Sequence, residues 1–217
     1  MVREYNDKML NQLEGPMEVL PATNIMSTKK QFDPKIDDAD GKVVGTPLTN
    51  VLYLKKDAKT VVIHNIDVCD LLNNGSKGKI LDFIRKNDKI THIVIEFENS
   101  EAGKKLKEGQ PDSFHCLYEN GTPIPKISFS YTISKRQMQE GQKAICIQFP
   151  IQLAHAMTVH KVQGATIELG RSITSHFGGI FGGSQTYTVL SRIKSPDQLY
   201  LLEDLYEDKI YTPKKAL

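Results

Sequence analysis

The sequence contains no tryptophan, few aromatic residues and only 3 cysteines in 217 positions. Cys69, Cys116 and Cys146 are odd in number and widely spaced, with no CxxC pair. That fits buried thiols in a reducing compartment better than a disulfide framework. His115-Cys116 stands alone, so no zinc or other metal site is expected. A long apolar run is also missing. The longest uncharged stretch, residues 144–160, is broken by Gln148, Gln152 and two histidines, so no membrane span is expected. Met1-Val2-Arg3-Glu4-Tyr5-Asn6-Asp7 has no apolar h-region, and no secretory signal is expected. Charge of one sign is lacking too: 28 basic against 26 acidic side chains give +2, so any basic surface has to be local. What remains is 39% hydrophobic and 25% charged residues, enough for a sizeable core in one domain of usual size plus a small second one.

Along the chain, Val2, Tyr5, Met9 and Leu13 recur at helical spacing, and Gly15-Pro16 stops that helix. Residues 21–47, with Pro21, Pro34, Pro47, Gly41 and Gly45, read as an irregular excursion. Val51–Leu54 and Val61–Ile63 read as strands, and Asn73-Asn74-Gly75 as a turn. Short β-like runs follow at Lys79–Phe83, His92–Phe97 and Ile127–Ile133, the middle one placing Ile93, Ile95 and Phe97 on one face. This string of strands suggests a small β-barrel insertion. After Ile145–Phe149, Leu153, Ala154, Ala156, Met157 and His160 return to helical spacing, with Gly164 as the stop. A strand at Thr166–Leu169, a glycine-rich loop 177–183, a helix at Gln185–Ile193 and a strand at Leu199–Leu202 complete an α/β text with a parallel sheet.

Two polar clusters sit in apolar frames. Thr158-Val-His160-Lys161-Val-Gln163-Gly164-Ala-Thr166 concentrates donors and a full positive charge at a helix end, which suits phosphate contacts; an exposed, solvated helix end is the plainer reading. In Gln185-Thr-Tyr-Thr-Val-Leu-Ser191-Arg192-Ile-Lys194, Arg192 follows an apolar face and could reach a transferring phosphoryl group; a surface arginine in an ordinary salt bridge is the alternative. His64, His92 and His115 lie in or beside β-like text and are read as packed or solvated. Gly183-Ser184-Gln185 lacks the G-x-S-x-G elbow, so no serine triad is proposed.

Taken together, the stretch from Ile151 to Thr166 resembles motif V, and Gln185 to Ser195 resembles motif VI, of superfamily 1 helicases of the 5′-to-3′ class. Leu54-Lys-Lys-Asp-Ala58 through Asn74-Gly75-Ser-Lys-Gly78 is similar to the stretch leading into the β-barrel insertion of the PIF-type DNA helicases, a family that includes the helicase parts of Helitron transposons. Val2-Arg-Glu-Tyr5-Asn6 resembles the helix opening their second RecA-like domain. The resemblance implies a RecA-like parallel-sheet α/β domain over 1–72 and 147–217, with a small SH3-like β-barrel insertion over 73–146. It implies an arginine finger at Arg192, contacts with single-stranded DNA from Thr158, His160 and Lys161, and Gln163, Gly164 and Thr166 beside the nucleotide cleft. Lys77, Lys79, Lys104, Lys105 and Lys107 of the barrel would track phosphates, or would form a solvated edge.

Two features depart from the family. Asp57 stands where the family usually has glycine, and the spacer from Gly170 to Ser184 is unusually glycine-rich. The sequence holds no GxxxxGK[ST] loop, since Gly75-Ser-Lys-Gly-Lys79 fails the spacing, and no acidic Mg²⁺ motif follows a strand in the right place. ATP and Mg²⁺ are therefore expected only in a complete enzyme, with no binding or hydrolysis by this chain alone. The expected partners are single-stranded DNA and a first RecA-like domain from a missing segment or another chain, at an intracellular, nuclear site away from membranes. The preferred reading is the C-terminal portion of an ATP-dependent DNA helicase. A degenerate domain kept as a single-stranded nucleic-acid or protein binding module, and a subunit completing an ATP site in trans, are the alternatives.

Overall fold

Gly15 and Pro16 follow the first helix as expected: α1 runs Val2–Gln12. Its inward side is set by Leu10 and Asn6 rather than Tyr5, which is 49% exposed. The Lys55 ammonium donates to the Leu13 carbonyl at 2.8 Å, placing a cation where the helix leaves carbonyls unpaired. The computed structural model describes residues 2–26, 30–37, 41–133, 143–157, 173–175, 190–192 and 194–201. The chain divides into two units, Met1–Ala156 and Met157–Leu217.

The first unit is rich in sheet. Its strands are β1 (Glu18–Pro21), β2 (Thr23–Met26), β3 (Val51–Leu54), β4 (Lys59–Val62), β5 (Lys77–Lys86) and β6 (Lys89–Phe97). Short helices α2 (Lys104–Glu108) and α3 (Asp112–Leu117) come next, then β7 (Gly121–Pro125), β8 (Ile127–Thr132), β9 (Lys143–Gln148) and β10 (Ile151–Leu153). An antiparallel five-stranded sheet has the order β10-β4-β5-β6-β7. It joins strands from both sides of residue 72 and of residue 146. A second sheet runs β2-β9-β8, and β1 pairs with β3.

Two apolar cores follow from the alternation. Ile80, Ile93, Ile95, Ile124, Leu54, Phe149 and Ile151 are buried together, with Ile93, Ile95 and Phe97 on the face the pattern predicts. Val94, on the opposite face, is equally buried because the turn at Gly121 lies against it. A Cβ at Gly121 would come within 2.5 Å of Val94 Cγ1, so only glycine fits. The smaller core gathers Val43, Leu48, Tyr131, Ile133, Ala144 and Cys146. Burial pushes the Tyr131 phenol up to about 12 and the Cys146 thiol up to about 11, so Cys146 is an inert packing thiol. Gln148, fully buried, bridges elements far apart in sequence. Its amide donates to the carbonyls of Leu20 at 2.8 Å and Thr49 at 3.3 Å, and its oxygen accepts the Phe149 N–H at 3.0 Å.

Asp57 occupies a backbone position that suits glycine. Its φ is 65°, in the left-handed region that favours glycine. Its carboxylate meets Lys79 at 3.3 Å with both side chains largely in water, a contact worth little. Asp57→Gly should therefore raise stability, by about 0.5–1 kcal/mol, in urea denaturation. A loss would show that the aspartate's local contacts outweigh its backbone cost.

One expectation is overturned. The helical spacing from Leu153 does not give a helix there: Leu153 ends β10, paired with Thr60, and residues 154–157 are irregular. The Ala154 N–H continues the ladder to the Lys59 carbonyl at 2.8 Å, so sheet pairing overrides the three-and-four spacing. The excursion at 21–47 also begins with a strand, β2, which the prolines obscure.

In the second unit, β11 (Ile173–Ser175) pairs in parallel with β12 (Leu199–Leu201), the parallel pair among the described residues. Ser195 caps the short 3₁₀ turn Pro196–Gln198, whose Gln198 accepts the N–H groups of Lys194 and Ser195. The strand expected at Thr166–Leu169, the glycine-rich loop and most of the helix expected at Gln185–Ile193 lie outside the described residues.

Candidate functional site

The segment leading into the 158–166 cluster is clamped at successive residues. Beyond the Ala154 bond, the Lys59 N–H donates to His155 Nε2 at 3.3 Å. Asn6 then grips Ala156 from α1: the Ala156 N–H donates to Asn6 Oδ1 at 2.8 Å, and Asn6 Nδ2 donates to the Ala156 carbonyl at 3.0 Å. A carboxamide carries one acceptor and one donor side by side, matching both polar groups of a single residue's backbone, so a buried asparagine suits this position and an apolar residue does not. Thr158, His160, Lys161, Gln163, Gly164 and Thr166 lie outside the described residues.

His155 can accept from Lys59 only as the neutral imidazole protonated at Nδ1. Burial, and then the nearby Lys59 charge, lower its pKa; burial lowers that of His92 as well. In the unfolded chain both regain their ordinary value and bind protons first as pH falls. The stability from these neutral rings is complete above about pH 6.5 and is lost as pH falls toward their folded values. Urea midpoints should thus be lower at pH 5 than at pH 7.5, with part of the difference removed by His155→Gln. Identical slopes in the two proteins would exclude His155 as a contributor.

In the second unit, Arg192 is half-buried. Its Nε and Nη2 both donate to the Ser191 hydroxyl, at 3.3 and 3.1 Å. The neighbouring serine thus fixes one edge of the guanidinium.

The five lysines singled out from the sequence behave differently from one another. Lys79 pairs with Asp57, and Lys104 pairs with Glu101 one helical turn away at 2.7 Å. Lys107 donates to the Glu119 carbonyl. Lys77 is half-buried on β5, and Lys105 is exposed on α2.

Sequence reasoning missed three organising polar groups. Asp70, 4% exposed, reaches across to cap α2: its carboxylate accepts the N–H groups of Lys105 at 3.0 Å and Leu106 at 3.3 Å. Asp82 accepts from Lys56 at 2.7 Å, the Phe83 N–H at 2.7 Å and the Tyr118 hydroxyl at 2.8 Å. Burial alone would raise the Asp82 carboxyl, but these donors outweigh it and hold it below the usual carboxylate range. The Tyr118 phenol is pushed up to about 12 by burial and then by Asp82, so this triad is a tie between α3 and β5 and not an acid–base pair. Gln148 is the third. Among the described residues no group of three histidine, cysteine or acidic side chains could hold a metal. No helix among them is long and apolar enough to cross a membrane.

No family model matches the chain. Among curated proteins it is 27% identical over 222 residues to the ATP-dependent DNA helicase Pif1 of Campylobacter jejuni, covering 99% of this chain and 40% of that protein. It is 26% identical over 198 residues to the ATP-dependent DNA helicase PIF1 of Homo sapiens, covering 91% of this chain and 25% of that protein. Solved structures agree in fold. Bacteroides Pif1 bound to ssDNA matches with a TM-score of 0.64 at 20% identity, over 99% of this chain and 41% of its own. Pif1 helicase from Candida albicans matches with a TM-score of 0.63 at 21% identity, over 99% and 45%. The chain thus spans a quarter to two fifths of the length of these two curated relatives. In sequence and in fold, over nearly its whole length, the chain is similar to one part of these Pif1 helicases.

Proposed function

We propose that the chain is the C-terminal portion of an ATP-dependent DNA helicase, supplying single-stranded DNA contacts and an arginine finger to a motor whose phosphate-cradling loop lies elsewhere. The observation that carries this reading is the match of 99% of the chain to a contiguous part of a Pif1 helicase. In this reading Thr158, His160 and Lys161 hold the strand's backbone, and Gln163, Gly164 and Thr166 line the nucleotide cleft. The second RecA-like domain spans 1–72 and 147–217. The SH3-like insertion spans 73–146, with its sheet taking in β4 and β10 from the flanking segments.

ATP with Mg²⁺ would supply the phosphoryl group whose transfer drives the motor. The chain's own residues fit one side of that group only. Arg192 is a pre-positioned cation suited to charge developing on a γ-phosphoryl oxygen. The described residues offer no carboxylate cluster for the metal. The first RecA-like domain is the partner that completes the site.

The test is fluorescence anisotropy of a labelled single-stranded oligonucleotide over a salt series, with ATPase measured on the same preparation. Salt-sensitive binding without ATP hydrolysis is expected. Hydrolysis by the chain alone, or no binding at low salt, would overturn the reading.

A further inference from the structure

The β5–β6 hairpin tip departs from what a stable hairpin prefers in one cross-strand pair. Its two-residue turn is Asn87-Asp88, with φ of 52° and 60°, in the left-handed region that a type I′ turn requires and that Asn and Asp tolerate. Directly across the ladder from one another stand Lys86 and Lys89. Directly opposed like charges destabilise a hairpin. Both lysines are exposed, and neither has an ion-pair partner among the described residues. Asp88, the one carboxylate of the tip, pairs with neither. One ladder pair back from the two lysines, Arg85 meets Glu18 of β1 at 2.6 Å, which anchors the ribbon beside its tip. The tip runs beyond the neighbouring strands, since β4 pairs with β5 only at Lys77–Lys79 and β7 pairs with β6 only at His92–Glu96.

A lysine on either strand would suffice to discourage strand pairing; setting two face to face adds repulsion without adding protection. An unfavourable charge pair kept at an exposed, well-anchored point marks a candidate functional position. An anion placed between the two ammonium groups relieves the repulsion. The tip carries no aromatic side chain to stack on a base, so the contact is with backbone phosphates and is indifferent to sequence.

We propose that the β5–β6 tip is a phosphate-contacting finger, in which Lys86 and Lys89 together grip the phosphodiester backbone of a nucleic-acid strand. The site is distinct from the motif V residues and from the barrel lysines considered above. The inference rests on the single-stranded DNA reading.

The experiment compares the full chain with Lys86→Ala/Lys89→Ala and with Lys89→Glu, using a mixed-sequence single-stranded oligonucleotide over a salt series and thermal melting of each protein. The double alanine variant should weaken binding roughly tenfold at low salt and lower the slope of log affinity against log salt by about 1.4, two single-strand phosphate contacts. Lys89→Glu turns a repelling pair into an attracting one. It should raise the melting midpoint by about 1–3 °C while weakening DNA binding, opposite signs that a purely structural role does not produce. If the unaltered chain binds but both variants bind with its affinity and slope, the finger is refuted and the wider reading stands. If the unaltered chain fails to bind at low salt, both fall.

Discussion

Gln148→Ala should lower the unfolding free energy by about 3–5 kcal/mol, the largest stability loss expected from a single side chain here. The site is fully buried, so the truncation leaves a cavity that the surrounding sheet cannot fill. It also removes a donor from two carbonyls and an acceptor from one N–H, on three separate segments. Urea denaturation followed by circular dichroism measures the loss; a change under about 1 kcal/mol would mean that water or a repacked side chain replaces the amide. Gln148→Glu separates shape from chemistry. It keeps the volume but turns a carboxylate oxygen toward two carbonyls, so it should be as damaging at neutral pH and recover as acid protonates it.

The second large effect concerns turnover. In an enzyme completed by a nucleotide-binding first domain, Arg192→Ala should cut ATP hydrolysis about 10³-fold or more, with little change in single-stranded DNA affinity. Arg192→Lys should recover little of it, because an ammonium keeps the charge and loses the planar fork that Ser191 orients. Lys161→Ala should do the reverse, weakening DNA affinity first. Full hydrolysis by the Arg192→Ala enzyme would sink the finger assignment and leave a DNA-binding module as the surviving reading.

Much of the fold is legible in the sequence where periodicity and turn chemistry agree. The first helix, the strands around Val51–Leu54 and Lys59–Val62, the turn with Gly75 at φ 99° and the alternation through Ile93, Ile95 and Phe97 all follow from spacing. The misreading at Leu153 shows the limit. Three-and-four spacing over a few residues is satisfied by chance, and pairing to Thr60 then decides the structure. The connecting polar groups were less legible still. Nothing local marks Asn6, Asp70 or Gln148 as buried, because their partners sit at Ala156, at Lys105 and Leu106, and at Leu20 and Thr49. The resemblances at Ile151–Thr166 and Gln185–Ser195 are patterns of residue types alone; of these stretches, residues 151–157, 190–192 and 194–195 fall among the described residues.

The Asn6 clamp also bears on how the chain is made. Its two partners are separated by 150 positions, so α1 emerges from a ribosome long before the backbone it holds has been translated. At ordinary synthesis rates of about 5–20 residues per second, that interval is on the order of ten seconds, far longer than a helix needs to form. Throughout it, the inward side of α1, Leu10 included, lacks its final neighbours, and Gln148 has not yet joined Leu20 to Thr49. Closure of the first unit therefore waits on its last residues, up to Ala156. A nascent chain arrested before Ala156 should remain protease-sensitive at α1, and one arrested some forty residues later, clear of the exit tunnel, should not.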